Sequence, residues 1–133
     1  MFKHTVNYVD FNGNERKEDL YFHLSSVEII RIEAEVGKPL EDYIKELTDN
    51  QDLSTLLAFL EKMLLNSYGK KTSDGRSFHK SKEIRDEFEY SQAYAEVFKQ
   101  VVTNPDLAKK FGENLGKKSE KKKNQIIPEV VSE

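Results

Sequence analysis

The stretch Leu20-Tyr21-Phe22-His23-Leu24-Ser25-Ser26-Val27-Glu28-Ile29-Ile30 contains the change of period that decides the fold. Up to Leu24 the large apolar residues alternate, as they do in a strand with one buried face. After Ser25 the spacing turns helical. Ser25 and Glu28 have the form of a capping box, in which the serine hydroxyl accepts from a free helix amide and the glutamate reaches back. A switch from strand to helix period within so few residues predicts an α+β chain.

Toward the N-terminus, Phe2, His4, Val6 and Tyr8 alternate with polar residues, and Asn12-Gly13-Asn14 supplies a turn. Residues 2–24 therefore read as a β-hairpin. Setting Val6 opposite Leu20 requires an odd connection, which a three-residue Asn-Gly-Asn loop provides. The second face carries Val9, Phe11, Tyr21 and His23, more apolar surface than a solvated ribbon needs. A two-stranded ribbon is marginal alone and leaves two open edges, so these four residues are candidates for partner binding or self-association.

Toward the C-terminus, the first helix is expected to end near Val36 at Gly37. Pro39 suits a first helical position, and Leu40, Tyr43, Ile44 and Leu47 share one helical face. Asp52 is placed to cap a third helix, which Gly69 would close. Its stripe runs through Leu53, Leu56, Leu57, Leu60, Met63 and Leu64, and core packing is favoured over a partner groove for it. Residues 69–80 form a polar excursion with a Ser73-Asp74-Gly75 turn, read as a small hairpin or a compact loop anchored by Phe78. Ser81 caps a helical region patterned by Ile84, Phe88, Ser91, Ala95, Phe98 and Val102. Ser91 could itself start a new helix, leaving one helix or two over residues 82–103. Asn104-Pro105 begins a last helix with Leu107, Ala108 and Phe111 on its buried side. The expected architecture is α+β, mainly α: a domain over residues 1–112 in which the N-terminal β-hairpin packs on four to six short helices, then a disordered Lys-rich tail over 113–133.

Composition agrees with a single domain: 133 residues, 37% apolar and 34% charged, with a net charge of −3. The absence of cysteine excludes disulfides and thiolate metal sites. No apolar run approaches the roughly 18 residues of a membrane span. The opening Met1-Phe2-Lys3-His4-Thr5 lacks the order of a secretory signal, so a soluble cytoplasmic protein is expected. Between Lys109 and Lys123 seven lysines face only Glu113 and Glu120, a surplus of five positive charges, so the rest of the chain carries −8. An acidic body argues against nucleic acid as a partner.

No arrangement of residues points to catalysis. His4, His23 and His79 show no ligand spacing. The run Asp10 to Glu15 lacks the glycine position and terminal glutamate of a calcium loop. Gly69-Lys70-Lys71-Thr72 lacks the upstream glycine of a phosphate loop. Glu83, Asp86, Glu87 and Glu89 read as a solvated helix face, and no serine sits in a strand-to-helix elbow. The expectation is a non-enzyme with no catalytic, metal or cofactor site.

Three pieces in fixed order carry a likeness: Leu65-Asn-Ser-Tyr68-Gly69-Lys-Lys-Thr-Ser-Asp74-Gly75-Arg-Ser-Phe78-His-Lys80-Ser81, then Phe88-Glu-Tyr-Ser91-Gln-Ala93-Tyr94, then Asn104-Pro-Asp106-Leu-Ala108-Lys-Lys-Phe111. With the hairpin ahead of them, roughly residues 1 to 112 resemble the tail assembly chaperones of long-tailed bacteriophages of Gram-positive hosts. The resemblance implies an ATP-independent chaperone in the host cytoplasm. Such a protein holds the tape measure protein soluble, helps recruit tail tube protein through a longer frameshifted form, and does not stay in the virion. This chain would be the short form. The resemblance carries no catalytic residue or cofactor; Tyr68, Gly69, Asp74, Gly75 and Phe78 match the family motif and read as a turn with aromatic anchors. A homo-oligomer is also expected, from the hairpin. Two other classes stay open: a structural minor tail or completion protein, and a small DNA-binding regulator with a helix-turn-helix in Leu40 to Leu64.

Overall fold

The computed structural model describes residues 1–115. Strands β1 (Phe2–Val9) and β2 (Glu15–Phe22) lead into helices α1 (Ser26–Val36), α2 (Leu40–Asp49) and α3 (Leu53–Ser67). Short strands β3 (Tyr68–Lys71) and β4 (Phe78–His79) follow, then α4 (Lys82–Glu89), α5 (Gln92–Thr103) and α6 (Pro105–Asn114). The expected N-terminal hairpin and helical body are both present.

The hairpin register differs from expectation by two residues. Val6 lies opposite Glu18, and His4 opposite Leu20. The connection runs from Asp10 to Asn14 because Asp10 organises it: Oδ1 accepts the amides of Asn12 and Asn14 at 2.9 Å each, and Oδ2 accepts from Arg16 Nε at 2.8 Å. Gly13, at φ 82°, donates to the Asp10 carbonyl, a left-handed position that glycine takes without strain. A two-residue shift preserves which side chains face inward. Val6, Leu20, Phe22 and Leu24 are accordingly all buried.

The excursion after α3 is the hairpin β3–β4, and the sheet order is β1-β2-β3-β4. β2 meets β3 through Tyr21 opposite Gly69 and Phe22 opposite Tyr68. Past the end of β2, the His23 amide donates to Ser67 and the Leu24 amide to Leu115. Gly69 is thus a strand residue and not the stop of α3. A Cβ there would lie 2.5 Å from the Phe78 ring and 2.7 Å from the His79 carbonyl, so the residue lets β4 approach.

Capping explains the helix boundaries. The Ser25–Glu28 capping box is formed and Gly37 ends α1 in the left-handed conformation. Ser81 caps α4, and Ser91 accepts from the Tyr94 amide, so residues 82–103 are two helices. The break resets the helical phase: Ala93, Val97 and Val101 form the buried face of α5, while Ala95 is exposed. Asn104 Oδ1 accepts from Asp106 and Leu107 at the start of α6. One expected cap and one expected helix start differ. Asp52 makes no side-chain cap bond, and Pro39 stands one position before α2.

The core gathers on Phe22, whose ring meets Phe2 at 6.3 Å, Tyr68 at 5.8 Å, Phe88 at 5.9 Å and Phe111 at 5.6 Å. Burying one such ring contributes about 1.5–3 kcal/mol, several times the value of an exposed ion pair. Apolar closure of the hairpin by α4, α5 and α6 therefore dominates the fold. The expected domain boundary after residue 112 falls inside α6, and Leu115 is fully buried. The expectation of disorder is left with residues 116–133, which lie outside the described residues.

Candidate interaction surface

The four residues expected to share the second face of the hairpin do not form one patch. The loop starts at Asp10, so Phe11 sits at the hairpin tip and not in the ladder, where it is 76% exposed. Val9, at the end of β1, is exposed beside it. Tyr21 lies at the other end, opposite Lys3, with the Lys71 ammonium 5.4 Å from its ring centroid. His23 follows β2 and is half-buried, edge-on to Phe78 at 6.0 Å. Six strand positions separate Val9's partner Glu15 from Tyr21, roughly 20 Å of strand. The face between them is polar, with Thr5 bonded to Asp19 across the strands at 2.6 Å.

The motif residues do converge. Thr72 and Asp74 build the β3–β4 turn: the Thr72 hydroxyl donates to Asp74 Oδ1 at 2.7 Å, and that oxygen accepts the Arg76 amide at 3.0 Å. Gly75 takes φ 77° and donates to the Thr72 carbonyl. The Arg76 amide holds the Asp74 carboxyl below the usual carboxylate range. Tyr68 stacks on Phe88 with centroids 3.9 Å apart, and its hydroxyl pKa is raised by burial. Phe78 packs on Gly69 and on His23. Asp74 and Gly75 thus form the turn, Tyr68 and Phe78 anchor it, and Gly69 lets the paired strand approach.

Lys80, just past β4, links this hairpin to α1. Its ammonium donates to the His23 carbonyl at 3.0 Å and to both Glu28 oxygens at 2.9 and 3.0 Å. Partial burial pulls the Glu28 carboxyl upward, but the Ser25 amide and Lys80 outweigh it and hold the group below its ordinary value. One glutamate therefore serves both the α1 capping box and the clamp to the motif hairpin. Sequence reading missed Lys80, because its partners lie 52 and 57 residues away and nothing in the local pattern announces them. Asp10 was legible in principle as an aspartate two residues before an Asn-Gly turn.

An open groove of about 490 Å³ runs between α1, the end of α3 and the start of α4. Leu24, Ile32, Leu65 and Tyr68 contribute its apolar lining. Arg31, Arg85 and Lys80 also line it. Elsewhere, Val27 and Ile30 on α1, Leu53 and Leu57 on α3, and Tyr90 between α4 and α5 are exposed. Among the described residues no group of three His, Cys, Asp or Glu could hold a metal ion, and no helix is long and apolar enough to cross a membrane. The titratable groups are spread over ion pairs and caps. Burial and Glu18 raise the Tyr8 hydroxyl to about 12, and burial and Glu61 raise that of Tyr94.

Comparison with protein families gives a match over residues 1–116 to a family model described as phage tail assembly chaperone. Neither the curated proteins nor the solved structures contain a match.

Proposed function

Since the chain belongs to the phage tail assembly chaperones, we propose that it acts without ATP on the tape measure protein, keeping that long helical client soluble in the host cytoplasm until tube subunits arrive. The supporting observation is the set of exposed large apolar side chains, Val9, Phe11, Val27, Ile30, Leu53, Leu57 and Tyr90, on a domain whose core is closed without them. Exposed apolar surface of this kind suits a client whose own apolar stripes would otherwise self-associate. The tip pair Val9 and Phe11 is the first candidate contact, while Tyr21 and His23 support the fold beneath it. Tube protein is recruited through a longer form, made by slippage within the lysine codons of residues 116–124. Peptides of that form in infected cells, read by mass spectrometry, test the slippage.

Co-expression tests the central claim. The cognate tape measure protein should stay soluble and elute with this chain on size exclusion. Equal solubility without the chain, and no complex, would overturn the reading. Recovery of the chain from purified virions would favour a structural tail component instead.

A further inference from the structure

We propose that the groove between α1, the end of α3 and the start of α4 receives an acidic amphipathic helix of a partner protein. The apolar face of that helix lies on Leu24, Ile32, Leu65 and Tyr68, and its carboxylates pair with Arg31 and Arg85. The groove shares no residue with the hairpin tip, and its recognition does not depend on what the tip binds.

Charge is the first support. Arg31, Lys80, Lys82 and Arg85 line the groove against a single carboxylate, Glu28, in a chain whose net charge is −3. Two of these cations are already satisfied, since Lys80 holds Glu28 and Lys82 pairs with Asp86 at 2.7 Å. The two guanidiniums are not. Arg31 has no ionic partner among the described residues, and Arg85 reaches only Asn66 Oδ1, at 3.3 Å. Both residues are exposed, so they can turn to an incoming carboxylate without giving up another. A guanidinium fork takes a carboxylate in paired hydrogen bonds, and the local positive excess selects an acidic guest over a basic one.

Shape is the second support. Leu24 is buried and forms the floor, whereas Ile32, Leu65 and Tyr68 are only partly covered. The volume of about 490 Å³ takes a few large apolar side chains and leaves the body of the guest outside. The walls α1, α3 and α4 are helices, whose backbone groups are bonded internally, so an extended guest would find no strand edge on them to pair with. A helix brings its own hydrogen bonds and needs only side chains from its host. The eleven residues of α1 span roughly 17 Å, which matches about three turns of a guest anchored at i, i+3, i+4 and i+7.

The third support is α1 itself. It is the one described helix with no buried residue. Val27 stands one turn before Arg31 on the same side and is 55% exposed, so a guest paired with Arg31 also gains apolar contact beyond the floor.

A synthetic helix of about fifteen residues, with leucines at i, i+3, i+4 and i+7 flanked by glutamates, serves as the probe, and a second peptide carries lysine at every glutamate. Titrated into the full chain, the glutamate peptide should shift the methyl signals of Leu24, Ile32 and Leu65. It should spare Leu53 and Leu57, which are exposed on α3 outside the groove and report indiscriminate apolar contact. Arg31→Glu with Arg85→Glu should weaken the glutamate peptide about tenfold and strengthen the lysine peptide by a similar factor. Arg31→Gln with Arg85→Gln, which removes the charges without reversing them, should abolish the preference between the two peptides. Circular dichroism of both variants should match the wild type, because the substituted side chains are exposed. No binding of the glutamate peptide, equal binding of both peptides to the wild-type chain, or a glutamate peptide indifferent to the charge reversal would each overturn the proposal. So would shifts centred on Leu53 and Leu57, or groove signals that move when the chain alone is diluted, which would give the groove to a second copy. None of these readouts involves the tape measure protein, so the proposed function stands or falls separately.

Discussion

At Gly69 one hydrogen atom decides whether the motif hairpin can close. An added methyl would meet the Phe78 ring, which can shift, but also the His79 carbonyl, which belongs to the paired strand. Gly69→Ala is therefore expected to destabilise the domain by about 1–3 kcal/mol in denaturant titrations. The sequence showed a glycine after a helical stripe and suggested a stop; only the pairing partner, nine or ten residues on, reveals the true constraint. His23 gives a prediction of another kind. Burial, helped by the nearby amino terminus and Lys80, lowers its pKa below 6.5, and Nδ1 is buried without a hydrogen bond. Above pH 6.5 the imidazole is neutral in both folded and unfolded chains. As the pH falls below that value the unfolded chain takes up the proton first, so folded stability declines until the lower folded-state pKa is passed. His23→Phe should remove this component, and the pH dependence of wild type minus variant, measured by denaturation, should be flat above pH 6.5 and fall below it.

Among the elements, α1 is held differently from its neighbours. Its grip on the rest comes from the Lys80–Glu28 clamp, from Glu33, whose Oε2 accepts the Leu40 amide at 3.0 Å, and from two partly buried isoleucines. Ser25→Ala removes one cap acceptor and should cost about 1 kcal/mol. Because the helix is lightly packed, amide exchange should accelerate over Ser26–Val36 while α3 and α5 keep their protection. Uniform acceleration would mean that α1 unfolds only with the whole domain. Elements of this kind were largely legible, since Ser25, Ser81, Ser91 and Asn104 are side-chain caps visible in sequence. The α5 face was not. A stripe counted through Ser91 misses it, because a cap that restarts the helix also restarts the count.

For the whole molecule, the outstanding question is association. Phe11 is a loop residue with its side chain in solvent, so Phe11→Asp should leave helicity by circular dichroism unchanged while weakening self-association in sedimentation. Tyr21→Asp should behave otherwise and loosen the β2–β3 junction, where Tyr21 is paired with Gly69. A wild-type chain that is monomeric at every concentration would remove the oligomer reading. The expected single patch depended on a three-residue loop. Alternation located the faces correctly, but loop length was set by hydrogen bonds of Asp10 that carry no periodic signal. Face assignment therefore survived the register error, whereas the surface built from Phe11 and Tyr21 together did not.

The contacts of Phe2 and Phe22 with Phe111, each at 5.6 Å, and of Leu24 with Leu115 also fix an order in time. A ribosome delivers the hairpin first and α6 last, so the nascent hairpin waits with its apolar face uncovered until nearly the whole domain has been translated. Leu115 is the last residue of the described core, so the cover of the hairpin is complete only once α6 has been made.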